Sequence, residues 1–159
     1  FCLVGSEMCI RDRSGVIGKK KILDLPEVGN MSSTHSANPI VCNAGLAVLE
    51  EIQKKKLTQR AKINGKLMQG ELIKVKQKYP NLFDVYGKGL ISALIFNKKE
   101  KNINLKLKNL VEKCIKDGLL LVYTGRESIK IGPPLTITKD AILEGVKIIE
   151  KNIDLIFSK

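Results

Sequence analysis

Tryptophan is absent from this 159-residue chain, and phenylalanine and tyrosine together make up only 4% of it. So few rings argue against a platform for stacking nucleic-acid bases. One histidine and four cysteines leave little material for a metal centre or a nucleophile–base–acid relay. No apolar run approaches the roughly 18 residues that a membrane-spanning helix requires. Acidic side chains are scarce as well: 16 Asp and Glu face 28 Lys and Arg, for a formal net charge of +12. What is present, 43% hydrophobic and 28% charged residues, excludes a disordered polymer and suits a folded domain. A chain of this length can bury about 68–70% of its unfolded surface, enough for one core.

The first thirteen residues, Phe1 to Arg13, differ in character from the rest. A secretory leader begins basic and continues apolar. Here Gly5, Ser6 and Glu7 interrupt the apolar stretch, and Arg11 and Arg13 come last. The string resembles an in-frame translation of a transposon-type sequencing adapter, so residues 1–13 are expected to be non-biological and the natural chain to enter at Ser14, already inside a domain. The alternative is a genuine short N-terminal strand. Setting these residues aside removes Glu7, Asp12, Arg11 and Arg13, which cancel, together with Cys2 and Cys9. The remaining Cys42 and Cys114 fall in helical patterns and are expected to be buried thiols of a reducing, cytoplasmic compartment rather than a disulfide.

Beyond Ser14 the pattern alternates between sheet and helix, an α/β unit. Gly15 to Gly18 suggests a short strand, followed by a basic-led helical turn up to Pro26. Residues 30–38 are expected to form a polar loop. Asn38-Pro39 is a helix start, with Asn accepting from free backbone N–H groups and Pro having none to lose. The helix behind it carries Ile40, Ala44, Val48, Leu49 and Ile52 on one stripe. A second helix spans roughly 58–78, with Ala61, Gly65, Met68, Leu72 and Val75 inward. Phe83 to Phe96 predicts strand, glycine turn and strand, and the apolar run 90–96 marks a strand covered on both faces. A helix closed by Asp117-Gly118, a buried strand over 119–123, a short strand over 129–131 and a final helix capped by Thr138 complete the pattern.

Taken individually, the candidate sites are weak. His35 has no partners for a relay, and His35, Cys42 and Cys114 lack metal spacing. Gly87-Lys88-Gly89 suits a turn better than a phosphate loop. The lysine clusters 19–21, 54–56 and 98–101 are spread over several elements, which favours solvated surface over a small basic nucleic-acid-binding module. The hydroxyl-rich loop 32–38 in front of a helix start favours an anion, phosphate above all, or is simply a capping loop.

Three blocks in register change this picture. The segment from Ser32-Ser33-Thr34-His35-Ser36-Ala37-Asn38-Pro39 to Leu49-Glu50 resembles the loop-and-helix motif of class III pyridoxal-phosphate aminotransferases, the ornithine, acetylornithine and 4-aminobutyrate aminotransferase group. Gly87-Lys88-Gly89-Leu90-Ile91 is similar to that family's glycine-rich hairpin, and Ile129 to Ile137 to its Pro-Pro-Leu strand. The resemblance implies fold type I: residues 14–38 would end the large cofactor-binding domain, 39–78 would be linking helices, and 79–159 the small C-terminal domain. It implies pyridoxal 5'-phosphate as cofactor, a homodimer, an amino donor and a 2-oxo acid acceptor. It also implies that Thr34 binds the cofactor phosphate of the other subunit, with Ser33 beside it. The Schiff-base lysine lies upstream of Ser14 in this family, so the fragment is expected to be inactive and, with apolar surface exposed, poorly soluble. Lys19, Lys20 and Lys21 fall past that lysine's position. Lys130 stands where relatives often carry a substrate-carboxylate arginine, and it is a point charge rather than a planar fork; Arg126 is the other candidate. Tyr86 replaces the arginine common before the glycine hairpin.

Overall fold

The structure is a computed structural model that describes residues 18–27, 29–30 and 38–157. The chain divides into two units, Phe1–Lys55 and Lys56–Lys159. The expected strand over 15–18 and the loop over 31–37 lie outside the described residues, apart from Gly18.

In the first unit, α1 (Lys20–Leu23) is a single turn and α2 (Pro39–Lys54) a helix of 16 residues. The start of α2 is the one the sequence predicts. Asn38 Oδ1 accepts from the N–H groups of Ile40 (3.1 Å) and Val41 (3.4 Å), and Cys42 N–H returns to the Asn38 carbonyl. None of the side chains of α2 is buried: Ile40 is 81% exposed and Leu49 57%. Cys42, expected to be a buried thiol, is therefore exposed, because the stripe it adjoins is uncovered in this chain.

The second unit holds a core of its own. Three helices, α3 (Leu57–Lys78), α4 (Ile103–Lys116) and α5 (Lys139–Phe157), pack on a four-stranded antiparallel sheet. The strands are β1 (Phe83–Lys88), β2 (Ile91–Phe96), β3 (Val122–Tyr123) and β4 (Ser128–Ile131), in the order β1-β2-β4-β3. Register pairs Val85 with Leu94 and Leu94 with Ile129, and Tyr123 with Ile129. Since successive side chains alternate faces, Phe83, Val85, Ser92, Leu94, Phe96, Ile129 and Tyr123 share the helix-covered side. There they meet Met68, Leu72 and Val75 of α3, Leu107, Leu110 and Cys114 of α4, and Ile142, Val146, Ile149 and Ile153 of α5. On α3, Gly65, Met68, Leu72 and Val75 are buried as the helical spacing predicts and Ala61 is partly buried, while Leu57 and Asn64 are buried outside that set.

The helix ends follow local chemistry. Gly118 at φ +91° closes α4 with its N–H on the Ile115 carbonyl and the Leu119 N–H on the Cys114 carbonyl, a paired bond pattern that only a left-handed residue permits. Thr138 Oγ1 accepts from Ala141 N–H at 3.3 Å and caps α5. Polar bridges tie α3 to α5: Lys78 to Glu150, and the Tyr79 hydroxyl donating to Asp154. Burial, and then that carboxylate, push the Tyr79 hydroxyl up to about 12. Asn152 is buried and donates to Asp117 (2.9 Å) and to the Ile148 carbonyl (3.0 Å). That bond first, and Lys151 second, hold the Asp117 carboxyl below its ordinary value.

Two expectations are corrected. The buried strand over 119–123 shrinks to Val122–Tyr123, with Leu120 80% exposed, because β3 is an edge strand paired on one side only. The apolar β2 is covered on one face, not both: Ile91 is 62% and Ile95 45% exposed.

Candidate functional site

The loop residues Ser33, Thr34 and His35 lie outside the described residues. What the structure does describe is the helix end behind them. Pro39 has no N–H, the Ile40 and Val41 donors are taken by the Asn38 side chain, and the Cys42 donor by the Asn38 carbonyl. All the first-turn donors of α2 are thus used internally. The terminus of α2 therefore keeps no first-turn donor free for an anion.

The other two motif blocks converge on α3. Gly89, at φ +59°, forms the turn between β1 and β2, which is the structural reading of Gly87-Lys88-Gly89. This turn lies directly on the helix: a Cβ added to Gly65 would come within 2.1 Å of the Gly89 carbonyl oxygen. Gln69 Nε2 donates to the same oxygen at 3.2 Å. One turn earlier, Asn64 Nδ2 donates to the Ile137 carbonyl at 3.0 Å, and Arg60 Nη2 reaches the Thr136 carbonyl at 3.4 Å. A short stretch of α3 therefore holds both the glycine turn and the exit of the Pro133-Pro134 segment. Asn64 and Gln69 gave no signal in the sequence beyond their place in a helix. The only cue was Gly65, a glycine inside a strong helical pattern.

Lys130 and Arg126 are placed differently. Lys130 is on β4, on the sheet face away from the helices, between Ala93 of β2 and Val122 of β3. Across Ala93 lies Tyr86 of β1, so Tyr86, Ala93, Lys130 and Val122 form one row across the sheet. Tyr86 and Lys130 are two strand spacings, about 10 Å, apart. These are the two positions where arginines were expected, and register alone brings them together. Lys130 forms no ion pair among the described residues. Arg126 is exposed in the β3–β4 turn, after Gly125 at φ +79°. The turn is closed by Thr124 Oγ1 and Ser128 Oγ at 2.7 Å.

A partly open pocket of about 50 Å3, lined by residues such as Met68, Leu72, Leu121 and Ile142, is almost wholly apolar and unsuited to an anion. No group of three or more His, Cys, Asp or Glu among the described residues is arranged to hold a metal ion. Many lysines are engaged locally, Lys55 with Glu51, Lys98 with Glu127 and Lys106 with Glu100, as solvated surface charges are. No described helix is long and apolar enough to cross a membrane.

Comparison with known proteins agrees with the motif reading. Residues 12–153 match the profile of the family described as aminotransferase class-III. The chain is 33% identical over 151 residues to acetylornithine aminotransferase of Synechocystis sp., covering 94% of this chain and 32% of that protein. It is 35% identical over 145 residues to a leucine/methionine racemase of Thermococcus litoralis, covering 88% of this chain and 32% of that protein. In three dimensions it is similar to the crystal structure of acetylornithine aminotransferase from Elizabethkingia anophelis, with a TM-score of 0.73 and 36% identity over 83% of this chain and 32% of that one. The chain thus spans about a third of the length of the relatives it matches.

Proposed function

Since the chain belongs to the aminotransferase class-III family, we propose that it is the C-terminal part of an enzyme that moves an amino group from an amino acid or amine to a 2-oxo acid. The observation that carries this reading is the family match over residues 12–153. Pyridoxal 5'-phosphate is the cofactor the family implies; when bound it supplies an electron sink for breaking a bond beside the substrate amine.

The chain's own residues supply binding and orientation. The Ser33 and Thr34 hydroxyls are donors suited to phosphate oxygens, and the internal capping of α2 leaves that task to them. In a homodimer, Thr34 serves the cofactor held by the partner subunit. Lys130 holds the substrate carboxylate. Its support is its place at the middle of a sheet face among Ala93, Val122 and Tyr86, where a partner group that excludes water would strengthen its field. Arg126, on an exposed turn, flanks it. As a point charge, Lys130 leaves the carboxylate freer to rotate than a guanidinium would. The Schiff-base lysine belongs to the portion outside this chain, so the fragment alone transfers no amino group. Residues 14–38 close the cofactor domain, 39–78 link and 79–159 form the small domain of a cytoplasmic protein.

The test uses the full-length polypeptide. Incubated with the cofactor, an amino donor and a 2-oxo acid, it is expected to yield the new amino acid. Inversion of the donor's stereochemistry without transfer, as the name of the racemase relative suggests for that protein, would overturn the proposal. Thr34→Ala is expected to weaken cofactor retention by about 1–3 kcal/mol, the cost of an unmade bond to a charged group; equilibrium dialysis measures it.

A further inference from the structure

β4 is a strand of four residues, and Lys130 is the last but one of them. Beyond Ile131 the chain runs into Gly132-Pro133-Pro134, and neither proline has an N–H with which to continue a ladder. A short strand that ends this way opens from its end, and Lys130 is within one residue of that end. Further on, the backbone is tied to α3. Asn64 Nδ2 donates to the Ile137 carbonyl at 3.0 Å, and Arg60 Nη2 to the Thr136 carbonyl at 3.4 Å. Of the two donors, Asn64 is the buried one, at 6% exposed. Apolar periodicity does not ask for it: asparagine is a poor helix former, and burying its amide is unfavourable without a partner. What it adds over a leucine is the bond to Ile137.

The same helix fixes the neighbouring strands. Gly65 lies against the Gly89 carbonyl, and Gln69 donates to it. Gly87, Ser92 and Ile131 stand in one register row, so the glycine turn and the end of β4 are at the same end of the sheet. Lys88, at the end of β1, shares with Lys130 the face away from the helices. We infer that Asn64 is a positioning residue for Lys130. By holding the Ile137 carbonyl it keeps the end of β4, and the ammonium group it carries, in place relative to the glycine turn and Lys88. This rests on the functional reading above, because it takes Lys130 as the group that receives the substrate carboxylate. A lysine has no planar fork to set the geometry of that contact. Its charge is aimed by where its stem begins, so drift of the strand end weakens the contact directly.

The test uses the full-length polypeptide and two donors, an amino acid and an amine of the same chain length without a carboxylate. In Asn64→Leu, KM for the amino acid is expected to rise about tenfold while kcat stays within about twofold, the mark of lost binding rather than lost chemistry. KM for the amine is expected to stay unchanged. A general loss of structure would move both donors alike, so equal rises, or no rise, overturn the inference. Asn64→Ser, whose hydroxyl is too short to reach Ile137, gives the same reading should the leucine variant fail to fold. Hydrogen exchange supplies a readout apart from activity. Peptides spanning 128–137 are expected to exchange about tenfold faster in either variant, and those spanning 83–88 at the rate of the unsubstituted protein. Unaltered exchange over 128–137 overturns the inference. No transfer by the unsubstituted polypeptide from either donor sinks the functional reading, and this role with it. Transfer that is indifferent to Asn64 sinks this role alone.

Discussion

Two helices of this chain have apolar stripes and opposite fates. On α5, Ile142, Val146, Ile149 and Ile153 are buried against α3, α4 and the sheet. On α2, the corresponding stripe of Ile40, Val48 and Leu49 is more than half exposed. Amphipathic periodicity therefore states that a helix has a partner, without saying whether this polypeptide contains it. Asn38 and Thr138 both cap their helices through a side-chain oxygen, so the difference is not in helix formation. It lies in what each stripe touches.

The largest expected contrast is between leucines. Leu72→Ala, at a fully buried site, is expected to cost about 2–5 kcal/mol in urea unfolding. Leu49→Ala, at a site 57% exposed, should stay within about 0.5 kcal/mol. A large loss at Leu49 would mean that α2 is packed in this chain after all.

Glycines sharpen the same contrast with opposite signs. Gly65→Ala drives a methyl group into the Gly89 carbonyl and is expected to destabilise by about 1–3 kcal/mol. Gly45→Ala, on α2 with nothing within 4 Å of the added carbon, should raise helicity by about 0.5–1 kcal/mol of propensity, visible in circular dichroism.

Thiols give a smaller but cleaner comparison. Cys42 is exposed and Cys114 buried. Burial, followed by the nearby Asp117, pushes the Cys114 thiol up to about 11. A disulfide reagent at neutral pH is expected to modify Cys42 promptly and Cys114 only on unfolding. The sign of the linked pH effect follows. With its folded value above the ordinary 9.0, Cys114 contributes its stability fully below pH 9 and loses it as pH climbs toward about 11, where the unfolded thiol has already ionised. The smallest effect is at acid pH. Asp117, held below its ordinary value of 3.8, contributes above that pH and loses its contribution as pH falls through the lowered folded value. Asp117→Asn should flatten the acid limb of a stability–pH curve, and an unchanged limb would remove Asp117 from the account.

Much of the fold was legible because its signals are local. Asn38-Pro39, Asp117-Gly118 and Thr138 each punctuate a helix within four residues, and all three are where the pattern puts them. The inward set of α3 was legible for the same reason. The edge position of β3 was not, since it depends on which strand lacks a neighbour. Nor was the seat of Gly89 on Gly65, 24 positions apart in the chain, which only packing creates. Of the candidate site, the sequence supplied Lys130 and Tyr86 as separate departures from a motif; the β1-β2-β4 register put them in one row.

What the sequence determined by itself is where helices begin and end and which stripe of each is apolar, because capping and periodicity act over a single turn. Which stripes are covered, which glycine must remain bare and which cations share a face were decided by tertiary structure alone. Burial and register join residues far apart in the chain, and no local pattern encodes that distance.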